Sequence, residues 1–146
     1  MLIREIMKQP PVLVHQDTAL GEVAQIMLAR QLACVAVVDD RGELCGIITE
    51  DDFMPEDRLV PFSTERLPKL FGEWMPRQGV ERVYQAARGL KAKDIQKAPA
   101  IVVSEDTPVE ETLLKMQRQS VRCLPVLRDN VPIGTFSHHE ALMMMT

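Results

Sequence analysis

"VLVHQDTALGEVAQIM" (residues 12–27) and "IVVSEDTPVEETLLKM" (residues 101–116) are one pattern written twice, at a constant offset of 89. Asp17-Thr18 matches Asp106-Thr107, and Met27 matches Met116. The match continues with "ACVAVVDDRGELCGIITEDDF" (33–53) over "RCLPVLRDNVPIGTFSHHEA" (122–141), with one residue lost in the turn. Cys34 then meets Cys123, and Gly46 meets Gly134. Such a repeat means one supersecondary unit built twice and stacked on itself.

Each copy reads as strand, helix, strand, strand, helix. Short β-branched runs at 12–14 and 101–103 close with Asp-Thr turn chemistry. Leu20, Val23, Ala24 and Met27 follow at helical spacing and predict an amphipathic helix. In the second copy Thr107 is expected to cap, Pro108 to take the first helical position and Glu110 to complete a capping box. Two apolar strands follow in each copy, and a further helix is expected from Glu50 and from His138.

Residues 55–91 separate the copies, giving repeat 1 at 1–54, an insertion, and repeat 2 at 92–146. The insertion carries Phe62, Phe71, Trp74 and Tyr84, whereas a flexible linker would be rich in Gly and Ser, so it is expected to be ordered. "VERVYQAARGL" (80–90) places Val80, Val83, Tyr84 and Ala87 on one helical face, and a second short helix is expected over 68–74.

The 146 residues are 46% hydrophobic and 26% charged with a net charge of −4, the composition of a globular domain without a basic footprint for nucleic acid. No apolar run is long enough to span a bilayer, and "MLIREIMKQ" lacks the blocks of a signal peptide, so neither nucleic acid nor membrane is an expected partner and the cytoplasm is the expected compartment. Cys34, Cys45 and Cys123 contain no CxxC pair, and Cys34 and Cys123 lie in apolar runs, so both are expected to be reduced core residues.

The doubled pattern resembles a tandem pair of cystathionine-β-synthase (CBS) domains, small stand-alone bacterial type. The family's ending, Gly-hydrophobic-x-Thr/Ser-x-x-Asp, is met by Gly46-Ile47-Ile48-Thr49-Glu50-Asp51-Asp52. The resemblance implies an α/β (α+β) fold in which two repeats pack about a pseudo-twofold axis and enclose two clefts. It implies a homodimer that binds AMP, ADP, ATP or S-adenosylmethionine and signals to an effector protein the sequence does not name. Glu50, Asp51 and Asp52 could attract Mg²⁺ through a bound ATP, although an acidic first turn is already good helix chemistry. Such modules are sensors, not enzymes, and need no resident cofactor.

Thr49 and Asp52 admit two readings. At a strand-to-helix junction the pair is good capping chemistry. A carboxylate there also suits two ribose hydroxyls, with the Thr hydroxyl facing a phosphate. In the second copy Ser137-x-x-Glu140 is the better capping box, so the first copy is expected to carry the better hook. By resemblance, Val12 and Ile101 would flank adenine and Arg122, where the first copy has Ala33, would meet phosphate. His15, His138 and His139 lack metal-ligand spacing, and no nucleophile-and-base pairing or phosphate loop appears. The competing reading is an interaction module with vestigial clefts, motivated by Glu140, Ala33 and the acids beside Thr49.

Overall fold

A computed structural model describes residues 1–146. In the first copy β1 (Leu13–His15) runs parallel to β2 (Cys34–Val38), which pairs antiparallel with β3 (Leu44–Thr49). The crossover is α1 (Leu20–Arg30), which buries Leu20, Val23 and Met27, the stripe read from the spacing. Its last turn is closed by Gln31 in the left-handed region (φ 52°).

The expected helix at Glu50 shrinks to one 3-10 turn, Glu50–Phe53. Pro55 explains this, because the residue before a proline is driven to extended backbone, and Met54 sits at φ −109°, ψ 147°. The insertion is ordered but only partly as foreseen. Instead of a helix over 68–74 it forms an antiparallel sheet of β4 (Glu56–Leu59), β5 (Arg66–Leu70) and β6 (Glu73–Trp74). Phe71 (φ 51°) and Gly72 (φ 81°) make the two-residue turn between β5 and β6, and two positive φ values match the right-handed twist of a hairpin. The predicted helix α2 (Val80–Ala87) is present, and Tyr84 donates its hydroxyl to the Phe53 carbonyl at 2.7 Å while packing edge-on against Phe71. A short α3 (Ala92–Ile95) then leads into the second copy.

There β7 (Val103–Ser104) runs parallel to β8 (Cys123–Arg128), β8 pairs with β9 (Val131–Ser137), and α4 (Val109–Gln119) and α5 (His138–Met143) complete the unit. Thr107 does not cap α4. Its hydroxyl accepts the Ser104 amide at 3.1 Å, as Thr18 accepts the His15 amide at 3.1 Å, so in both copies this Thr closes the turn, and Pro108 takes the capping position with extended backbone.

The cores do not follow the order of the chain. Ile3 and Met7 lie in the core of the second repeat, whereas Ala87 and Ala92 lie in the first. Matched bonds lace these leading segments across: the Ile3 amide donates to the Thr107 carbonyl, and the Ala92 amide to that of Thr18. Arg4 pairs with Asp106 as Lys93 pairs with Asp17. Each set is related by the same offset, the internal signature of the pseudo-twofold arrangement. The Lys93 ammonium holds the Asp17 carboxyl below its ordinary range.

Cys34 and Cys123 are buried, as expected, but they are not reduced: they form a disulfide with Cα atoms 6.1 Å apart. Equivalent residues of two copies related by a twofold axis touch only on that axis. The bond therefore marks where the inner strands β2 and β8 meet.

Candidate functional site

Two depressions flank the disulfide, one at the end of each sheet. The first, of about 520 Å³, is walled by Thr49, the acids Glu50 to Asp52, Lys97, Ala98, Ala100 and the segment Ser120–Cys123. The second, of about 300 Å³, is walled by the equivalent set, including Lys8, Gln31, Ala33, Arg122, Ser137 and Glu140.

Glycine is what lets the laced segments reach these clefts. Lys97 and Ile47 exchange backbone bonds of 2.8 and 3.0 Å, and a Cβ on Gly46 would stand 2.8 Å from the Lys97 carbonyl oxygen. Lys8 and Thr135 make the mirror pair at 2.8 and 3.1 Å, with Gly134 beneath Met7. The repeated Gly is thus a close-approach position rather than a turn.

Lys97 had no signal in its immediate sequence, yet it organises the first cleft. Its ammonium donates to the Thr49 hydroxyl at 2.8 Å and to Asp52 Oδ2 at 2.5 Å. The Thr49 amide also donates to Asp52 Oδ2, at 2.8 Å, and the Thr49 hydroxyl does so at 3.3 Å. So Asp52 is the residue that reaches back to the cap amide, with one oxygen. Oδ1 takes no bond from the protein, and the residue lines the first cleft. The cap therefore uses one oxygen of the carboxylate and leaves the other without a protein partner.

Ser137 and Glu140 are arranged otherwise. Ser137 accepts the His139 amide at 3.2 Å and donates to both oxygens of Glu140, at 3.1 and 3.3 Å. Glu140 does not reach the Ser137 amide, so the capping box expected there is half made. Glu140 is buried, with 2% of the residue exposed, whereas Asp52 is only partly buried. The longer acid folds inward onto its own serine.

Arg122 lines both clefts, beside the disulfide. Val12 and Ile101 line neither: Val12 packs against the first core and Ile101 is buried in the second. Ala98 and Ala100, which precede Ile101, stand in the first cleft. The His and acid residues bring no group of three metal-ligating side chains together.

Two layers of paired strand–helix–strand units with laced leading segments and a cleft on either side of the axis define the class. The family model for the CBS domain matches residues 3–57 and 92–145, and the chain belongs to that family as a tandem pair. Meiotically up-regulated gene 70 protein of Schizosaccharomyces pombe is 29% identical over 126 residues, which cover 86% of this chain and 14% of that protein. L-aspartate semialdehyde sulfurtransferase of Methanocaldococcus jannaschii is 24% identical over 128 residues, 88% of this chain and 20% of that one. The chain thus spans a fifth or less of these relatives. Among solved structures, the CBS domain of a membrane protein from Sphaerobacter thermophilus superposes with a TM-score of 0.71 at 29% identity, over 100% of this chain and 88% of that one. The CBS domain pair of protein MJ0100, in complex with 5′-methylthioadenosine and S-adenosyl-L-methionine, superposes with a TM-score of 0.70 at 20% identity, over 99% and 95%. No helix of this chain is long and apolar enough to cross a membrane.

Proposed function

We propose that this chain is a regulatory ligand-binding module that takes an adenosine-containing molecule (AMP, ADP, ATP or S-adenosylmethionine) in the cleft between its repeats and passes occupancy through a homodimer to an effector protein. It acts in the cytoplasm and performs no catalysis. The observation that carries this reading is the division of labour at Asp52, with Oδ2 fixed by Thr49 and Lys97 and Oδ1 unbonded in a side chain that lines a cleft of about 520 Å³. An oriented carboxylate oxygen accepts from ribose hydroxyls without reorganising. The adenosyl ligands held by the MJ0100 pair support the ligand class. Arg122, which lines both clefts, is the group available to a phosphate, and Mg²⁺ would enter only with a bound ATP.

A ligand shifts the protomers only as far as it prefers one arrangement over another. Exposed Leu28 on α1, Leu114 on α4 and Leu142 to Met145 at the end of α5 supply apolar surface for a partner copy. The test is a thermal titration with AMP, ATP, S-adenosylmethionine and NADH. A ligand at a hundred times its dissociation constant adds roughly 2.7 kcal/mol of stability. No shift with any of them rejects the sensor in favour of an interaction module, and an undiminished S-adenosylmethionine shift in Asp52→Ala rejects the ribose role of that residue. Native mass spectrometry reads the dimer and any retained nucleotide.

A further inference from the structure

The two clefts are built from equivalent positions but carry opposite charge. The first is lined by four carboxylates (Glu50, Asp51, Asp52, Glu56) against two bases, Lys97 and Arg122. The second is lined by one carboxylate, Glu140, against three bases, Lys8, Arg30 and Arg122. The reversal sits at matched places, since His138 and His139 replace Glu50 and Asp51, and Lys8 stands where the other copy has Lys97.

Availability sharpens the contrast. Lys97 is spent on Asp52 at 2.5 Å, whereas Lys8 and Arg30 make no side-chain bond and Glu140 is bonded to Ser137. Arg122 faces both clefts and favours neither. A phosphate entering the first cleft would meet Glu50 and Asp51, whose side chains are unpaired. In the second it would meet two unpaired cations and a third shared one. Like charges at such range oppose binding and opposite charges favour it, by roughly tenfold or more for each hydrogen-bonded charge.

We infer that the pair sorts its ligands by charge: the second cleft takes the phosphate-bearing adenine nucleotide, and the first takes an adenosyl compound without phosphate, a thioether or a sulfonium at its 5′ position. This rests on the reading that the clefts bind adenosyl compounds, and it assigns a different chemical class to each.

Isothermal titration of the full chain with AMP and with 5′-methylthioadenosine separates the two claims. Expected is one site per chain for each, filled independently, with AMP alone weakened roughly tenfold or more by Lys8→Gln/Arg30→Gln and by raising salt. Both substitutions are at surface side chains, and an unchanged melting temperature verifies the fold. In Glu50→Gln/Asp51→Asn a second AMP should bind. Competition of the two compounds for one site, or AMP affinity unchanged in Lys8→Gln/Arg30→Gln, overturns the charge sorting while leaving adenosyl binding intact. Binding of neither compound rejects the underlying function and the sorting with it.

Discussion

Asp52 and Glu140 hold the same place in two copies of one motif and differ by a methylene. The shorter acid reaches back to its cap amide, is met by Lys97 and keeps one oxygen without a protein partner. The longer one is almost wholly buried and spends both oxygens on one serine hydroxyl. The lysine it does not recruit, Lys8, is left unpaired beside the second cleft. The same position thus holds a lysine-paired acid in one cleft and a serine-bonded acid in the other, and the charge available to each cleft differs accordingly.

The largest expected effect comes from removing what the two copies share. Reducing the Cys34–Cys123 bond, which spans 89 residues, releases a long loop in the unfolded chain and should cost about 4 to 5 kcal/mol in the chain-entropy account, read as a lowered urea midpoint that Cys34→Ser/Cys123→Ser reproduces. Next come the two glycines. Gly46→Ala drives a methyl against the Lys97 carbonyl, which is backbone and cannot yield, and should cost about 2 kcal/mol with loss of ligand binding. Gly134→Ala meets first the Met7 thioether, which can swing aside, and should cost about half as much, so equal losses would show that the two crossings are equally tight.

Smaller again is the acid pair itself. Asp52→Asn removes a charge-assisted partner of Lys97 at a partly exposed site and should cost about 1 kcal/mol in denaturant unfolding. Glu140→Gln removes a buried charge that has only a serine hydroxyl to answer it, and should leave stability unchanged or raise it. A larger loss in Glu140→Gln than in Asp52→Asn would reverse the contrast between the copies. The smallest effect is at the surface of the second repeat, where the Arg128 guanidinium, bonded at 2.6 Å, holds the Glu105 carboxyl below its ordinary range. A lowered folded-state pKa means stability that is present above the carboxyl's unfolded value and lost as pH falls through the folded one. Arg128→Gln should therefore flatten the acid limb of a stability-versus-pH curve slightly, and high salt should mask the difference.

Much of this was legible in the sequence for a specific reason. Helical spacing at Leu20, Val23 and Met27, and Gly-x-x-Thr/Ser at the end of each third strand, are local patterns that packing preserves. What escaped was non-local or conformational. Lys97 acts on Thr49 from 48 residues away through a backbone pairing that no local pattern encodes. The β5–β6 hairpin depends on Phe71 accepting a positive φ, which only the following Gly hinted at. The early stop after Phe53 was available from Pro55 and was outweighed by the acids. The disulfide was also within reach: two cysteines at the repeat offset are equivalent positions, and equivalent positions near a twofold axis become neighbours.

That bond has a topological consequence. With Cys34 tied to Cys123, the stretch between them is a covalent ring that contains the whole insertion. The two repeats are closed across the axis by sulfur and by laced leading segments. A single cut in the insertion sheet, anywhere over 56–74, would leave both halves in one covalent body.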